Sequence, residues 1–100
     1  MQKSFNEKVW DACKKIPKGK VSTYGEIAKA IKNRDASRAV GNALNKNPFA
    51  PIVPCHRVIQ SNGSIGGFAF GTNKKIAMLK NEGIEIKNGK IDLEKYLYKF

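Results

Sequence analysis

Residues 22–48 read STYGEIAKAIKNRDASRAVGNALNKNP. The spacing of apolar residues in this stretch predicts two short helices. Ser22 or Thr23 can cap the first, its hydroxyl accepting from an amide that would otherwise have no partner. Tyr24, Ile27, Ala28 and Ile31 then share one side, out to about Lys32. Residues 33–37, NRDAS, form a turn. The second helix runs from about Ala36 to Lys46 and stops ahead of Pro48, because a residue before proline is driven out of helical backbone geometry. Its apolar side is Val40, Ala43 and Leu44. Its other side, Arg38, Gly41, Asn42 and Asn45, is polar, small and nearly flat. Two short helices across a tight turn predict a helix-turn-helix, and on a basic chain that arrangement points to DNA.

Upstream, residues 4–16 read as an amphipathic helix. Ser4 is its cap, Glu7 completes a capping box, and Phe5, Val9, Cys13 and Ile16 lie on one face. Pro17 and Gly19 end it. Cys13 in that stripe reads as a small buried hydrophobe. Downstream, NPFAPIVPCHRVIQ (47–60) carries Pro48, Pro51 and Pro54 and cannot be a regular helix. It reads as an ordered loop delivering Cys55 and His56 to a fixed place. Val58 and Ile59, then SNGS, then Ile65 predict a short hairpin. GGFAFG (66–71) is a Gly-rich loop with two aromatics. Thr72 can cap a last full helix to Glu82, ended by Gly83. IEIKNGKID (84–92) predicts a hairpin on Asn88-Gly89, and LEKYLYKF (93–100) a final helical turn. The expected fold is α+β and mainly helical: one winged-helix-like helix-turn-helix domain over residues 1–100, with short β-hairpins.

The chain has 100 residues, enough for one domain. Lys and Arg number 19 against 8 Asp and Glu, a formal net charge of +11. Such an imbalance concentrates polyanions at the surface, so nucleic acid is the expected partner. An anionic membrane ranks second, since no long amphipathic basic helix stands out; the plain alternative is a Lys-rich solvated coat. No run approaches membrane-span length, so no membrane partner is expected. The N-terminus, MQKSFNEKVW, has no apolar signal segment, which predicts a cytoplasmic, reducing location with both cysteines free. One His and two Cys at no zinc-like spacing predict no metal. A monomer is expected.

Cys55-His56 is the chemically sharp feature. A thiolate is a far better nucleophile than a thiol, so a reactive Cys needs a base or positive field close by. His56 is the only histidine, and Arg57 adds charge. Glu82 flanks the apolar stripe of the last helix, Ile76 and Leu79, and is the natural orienter for His56. The plain alternatives are an accidental Cys-His pair and a Glu82 that faces water.

PCHRV (54–58) is the active-site signature of the O6-alkylguanine-DNA alkyltransferases, and the chain resembles that family well beyond it. VW (9–10), STYGEIA (22–28), SRAVGNALNKNP (37–48), IVPCHRVI (52–59) and NEG (81–83) follow the family's order and spacing over roughly residues 5–86. The resemblance implies its catalytic domain and a single-turnover transfer of an alkyl group, mainly methyl, from guanine O6 in duplex DNA to Cys55. His56 would act as base through a water, oriented by Glu82. Tyr24 would approach the flipped guanine and a phosphate. Arg38 would fill the gap in the base stack, and Asn47 would hold the turn into the active-site loop. The carbonyls of Cys55 and Val58 would accept from the guanine amine, and the amide of Ala69 would donate toward the damaged oxygen. Ser37, Ala39, Gly41, Asn42, Arg57, Phe68 and Phe70 complete the expected DNA- and base-binding set. The partner implied is double-stranded DNA, approached through the minor groove, with no cofactor. The physics agrees: a base in a duplex is attacked at its pairing edge only after flipping, at about a few kcal/mol, less for a poorly paired lesion. A flat helix face suits close approach to the groove.

The chain also departs from the family pattern. Longer members carry an N-terminal domain, which is expected to be absent here. The length resembles the alkyltransferase-like proteins, which flag alkylguanine without transferring the group and carry Trp where this chain has Cys55. The thiol favours transfer; a lesion sensor is the rival, and a small helix-turn-helix regulator is a third reading that leaves Cys55, His56 and Glu82 unexplained. Phe68 stands where Tyr is common and Phe70 where some members have Gly. A tight pocket is therefore expected, accepting methyl lesions and rejecting bulky free-base inhibitors.

Overall fold

The computed structural model describes residues 3–50, 52–68 and 71–100. Helix α1 (Phe5–Lys14) starts as its sequence dictates. The Glu7 amide donates to Ser4 Oγ at 3.2 Å, and the Ser4 amide donates to Glu7 Oε1 at 3.1 Å. Two amides of the first turn are thereby satisfied. Helix α2 (Tyr24–Ala30) is capped by Thr23, whose Oγ1 accepts from the Glu26 amide at 3.0 Å. Helix α3 (Ser37–Asn45) follows across the turn. The three helices close on one core that includes Val9, Cys13, Ile16, Ile27, Val40 and Leu44; Val53, Cys55 and Val58 complete it from the loop that follows. Each fully buried aliphatic side chain here contributes about 1.5–3 kcal/mol relative to exposure.

A second core gathers Val21, Ile59, Ile65, Leu79, Ile84, Ile91 and Tyr96. Above it, strand β1 (Ser22–Thr23) pairs in parallel with β2 (Val58–Ile59), Ser22 opposite Val58 and Thr23 opposite Ile59. This corrects the hairpin expected over residues 58–65. The turn exists: the Gln60 amide donates to the Ser64 carbonyl and the Gly63 amide to that of Gln60, both at 2.9 Å. The strand before the turn, however, pairs with β1, while Ser64 bridges to Lys90. Val58 and Ile59 are both fully buried; a strand covered on both faces belongs inside a fold, beside a parallel neighbour, rather than in a solvated hairpin.

Helix α4 (Thr72–Asn81) carries a second correction. Gly71, at φ 97°, is its N-cap, and Thr72 is the first helical residue with no side-chain cap bond. The other end behaves as read. Gly83 takes φ 88°, its amide donates to the Lys80 carbonyl, and the Ile84 amide donates back to Leu79. That closure leaves Glu82 as the C-cap, directly after the last helical residue. Strands β3 (Ile86–Lys87) and β4 (Lys90–Ile91) form the expected hairpin, with Asn88 and Gly89 both at positive φ. Helix α5 (Leu93–Tyr96) returns the chain to β1: the Val21 amide donates to Tyr96, the Tyr98 amide to Val21, and Ser22 Oγ to the Tyr98 carbonyl. Among the described residues no helix is long and apolar enough to cross a membrane.

Candidate active site

Cys55, His56 and Arg57 form a single 3-10 turn that runs directly into β2. Asn47 pins the loop ahead of it: Nδ2 donates to the Val53 carbonyl at 2.9 Å, and Oδ1 accepts from the Phe49 amide at 2.8 Å. Cys55 is 7% exposed and His56 3%. His56 Nε2 lies 2.9 Å from Glu82 Oε2. A carboxylate only accepts, so a neutral His56 carries its proton on Nε2 and keeps the Nδ1 lone pair free to act as a base. Burial pushes the Glu82 carboxyl up, but hydrogen bonds from Arg57 and His56 and their charges outweigh it and hold the group below the usual carboxylate value.

Arg57, expected among the DNA-contacting residues, is committed elsewhere. Its Nε donates to Glu82 Oε1 at 2.9 Å, its Nη2 to Glu82 Oε2 at 2.7 Å, and its Nη1 to the Ile16 carbonyl at 2.9 Å. The guanidinium fork matches the carboxylate and closes the end of the α1 segment, which leaves it facing inward. Its position makes it the residue that fixes Glu82.

A residue that the sequence reading missed stands beside this group. Lys75 on α4 is fully buried. Its Nζ donates to the Val58 carbonyl at 2.7 Å and to the Gly67 carbonyl at 3.1 Å, and sits 6.0 Å from the centre of the Tyr24 ring. Burial lowers its pKa to about 8, with the nearby Cys55 and Cys13 thiols pulling the other way. The available signal was its place one helical turn before Leu79, on the buried stripe. Tyr24 joins the same cluster. Burial, then the Cys55 charge, raise its phenol, and a side chain on Gly66 would meet its hydroxyl at 3.1 Å. Val58 O, expected to accept from guanine, already accepts from Lys75, and Cys55 O accepts from the Val58 amide. Each carbonyl has a second lone pair, so one acceptor site on each is left.

On α3, Arg38, Ala39, Asn42 and Asn45 are exposed and Ser37 is half-buried at the helix start. Gly41, expected on the same face, turns instead toward Tyr24: a Cβ there would lie 3.8 Å from the ring. The missing side chain lets the aromatic pack on the α3 backbone. Trp10 Nε1 donates to the Ala43 carbonyl at 2.9 Å and meets Phe49 edge-on at 5.8 Å, tying α3 to the active-site loop. Phe68 is half-buried against the first core. Ala69 and Phe70 lie outside the described residues. Among the described residues no cluster of His, Cys, Asp and Glu is arranged to hold a metal.

Residues 4–84 match the family described as 6-O-methylguanine DNA methyltransferase, DNA binding domain. A methylated-DNA–protein-cysteine methyltransferase of Methanosarcina acetivorans is 58% identical over 79 residues, which are 79% of this chain and 51% of that protein. A crystal structure of Mycobacterium tuberculosis OGT in complex with DNA superposes with a TM-score of 0.78 at 46% identity, covering 82% of this chain and 51% of that one. A structure of S. pombe Atl1 in complex with damaged DNA containing O6-carboxymethylguanine superposes with a TM-score of 0.87 at 37% identity, covering 100% of both chains. This chain thus spans about half the length of the curated methyltransferases it matches, and the whole of Atl1.

Proposed function

We propose that this chain, which belongs to the family of the 6-O-methylguanine DNA methyltransferase DNA-binding domain, repairs O6-alkylguanine in duplex DNA by taking the alkyl group onto Cys55. The observation that carries the reading is the run of bonds that begins one residue after Cys55, in the same 3-10 turn: His56 Nε2 lies 2.9 Å from Glu82, and Glu82 is held in turn by Arg57. His56, oriented by Glu82 and acting through a water, takes the Cys55 proton. The thiolate attacks the alkyl carbon in line, an S–C bond forms, the C–O6 bond breaks, and its electron pair leaves with guanine, which regains a proton. The product is a stable thioether, so each molecule acts once. No cofactor enters.

DNA is held by the exposed face of α3 with Arg38 filling the gap of the extruded nucleotide, and by the chain's excess positive charge on the phosphates. Tyr24 and Phe68 line the pocket that receives the base. Lys75 holds the Val58 and Gly67 carbonyls that frame that pocket and places a positive charge where the thiolate forms.

One observation favours a second reading. The end-to-end match to Atl1, bound to damaged DNA, suits a protein that binds the lesion without reacting. Peptide mass spectrometry after mixing with duplex DNA containing one O6-methylguanine separates the two. Transfer puts one methyl group on the Cys55 peptide and restores guanine, and Cys55→Ala abolishes both while keeping DNA binding. Tight lesion binding without a mass change would overturn transfer in favour of recognition alone.

A further inference from the structure

The loop of residues 60–68, which the reading above puts beside the flipped base, is held by a segment beyond the family match, which ends at residue 84. The Ile91 amide donates to the Gly63 carbonyl at 2.9 Å, and Lys90 bridges to Ser64. Gly63 is buried at φ +88°, and a Cβ on it would lie 2.7 Å from the Ile91 carbonyl oxygen. The two backbones are therefore in direct contact, with no room for a side chain. From this point the loop continues through buried Ile65 to Gly66, against Tyr24, and to Gly67, whose carbonyl accepts from Lys75. The same C-terminal segment also grips the stretch that leads into Tyr24. Tyr96 and Tyr98 bracket Val21, and Tyr98 accepts from Ser22 Oγ. Ser22 leads into Thr23, the cap of the helix that begins with Tyr24.

We propose that the β3–β4 hairpin and its tail, residues 85–98, are a positioning element for the lesion pocket, fixing the separation of its two walls: the loop bearing Gly66 to Phe68 and the strand that launches Tyr24. The proposal rests on the transfer reading above. A segment that only stabilises the fold would need contact with the second core alone; this one makes backbone bonds both to the loop that leads to Gly66 and to the strand that leads to Tyr24.

A matched pair of variants tests it. Gly63→Ala and Gly89→Ala each put an alanine in left-handed backbone, at φ +88° and +73°, but only Gly63 faces the hairpin; nothing lies within 4 Å of a Cβ at Gly89. The single-turnover transfer rate at saturating lesion DNA falls about tenfold or more in Gly63→Ala and stays within about twofold in Gly89→Ala, since small misplacements act on the chemical step. Affinity for undamaged duplex, set by the α3 face, changes less than about twofold in both. Should Gly63→Ala fail to fold, Ser22→Ala probes the other attachment, with a drop of about two- to fivefold in the saturated rate and unchanged affinity. Rates that simply track thermal stability across the variants, or a Gly63→Ala variant as fast as wild type, would overturn the proposal. If the unaltered protein transfers nothing, the transfer reading fails on its own; the ratio of lesion to undamaged affinity then replaces the rate for the same variants, with the same expected order.

Discussion

The helical half, α1 to α3, and the half built from β1–β2, α4 and the C-terminal hairpin differ in how their structure arises. In the helical half each element is specified by its own residues. Ser4 and Glu7 start α1, Thr23 starts α2, and the apolar stripes supply the first core. In the other half the ties are between distant segments: Thr23 opposite Ile59, Ile91 on Gly63, Tyr98 on Val21, Lys75 on Val58. The 3-10 turn that carries Cys55 sits on the seam, with Cys55 and Val58 in the first core and Ile59 in the second. The difference teaches that one half is built from local signals and the other from pairings between distant segments. On the proposed function, the locally specified half would present the DNA-binding face, and the half assembled from remote pairings would set the geometry of the transfer.

The largest effects should come from opening either core. Ile27→Ala and Leu79→Ala each remove a fully buried side chain and should each cost about 2–5 kcal/mol. Because both cores meet at the 3-10 turn, thermal unfolding of each variant should remain one transition, with Cys55 becoming reactive to a thiol reagent as the helices melt. A Cys55 that opens well before the helices in Leu79→Ala would break the comparison by making the second half an independent unit.

Glu82→Gln comes next. It replaces the charged acceptor shared by His56 and Arg57 and should cost about 1.5–3 kcal/mol at neutral pH, with transfer slowed about tenfold or more through loss of the oriented base. Because its carboxyl is held below its unfolded value of 4.5, Glu82 contributes stability that is present above that value and lost as pH falls through the folded one. Urea midpoints from pH 6 down to 3 should fall less in the variant than in the unaltered chain; parallel curves would contradict the linkage.

Lys75→Met should have the smallest effect on stability at neutral pH, since an apolar side chain of similar length avoids burying a charge. Its signature is in the alkaline range. Lys75 loses its proton near 10.5 when unfolded and at about 8 when folded, so between those values the unfolded chain binds the extra proton and stability rises with pH. Cys13 acts oppositely: its thiol titrates at 9.0 unfolded and is pushed up to about 12 in the fold, so stability falls with pH above 9. Urea midpoints should therefore rise between pH 8 and 9 in the unaltered chain and stay level in Lys75→Met, with transfer several-fold slower as the carbonyl pin is lost. A rise that survives the substitution would assign it to another group.

The same contrast explains what could be read from the amino-acid sequence. Periodicity and capping are local signals, so α1, α2, α3 and the Asn88-Gly89 hairpin were legible. The parallel pairing of β1 with β2 was not, because two-residue strands carry no pattern of their own and Val58-Ile59 is equally apolar as hairpin or buried strand. The Thr72 cap failed because the glycine before it took the capping geometry. At the site, Cys55, His56 and Glu82 were named from residue type and resemblance, and the contact between the last two needed the fold. Lys75 stayed hidden because a lysine on an apolar stripe looks like an interruption until the two carbonyls it meets are in place. The Arg57–Glu82 pair was hidden for a similar reason: charge alone cannot tell a phosphate partner from an internal carboxylate.

The burial of Cys13 has a further consequence, for chemical selectivity. A protein that meets alkylating chemistry with two free thiols could lose capacity to side reactions. Cys13 shares the first core with Cys55, and burial, followed by the Cys55 charge, keeps it protonated up to about pH 12. A protonated, enclosed sulfur is a poor competitor for electrophiles, so Cys13 serves as an inert filler of the core and leaves any reagent that reaches the molecule to other groups.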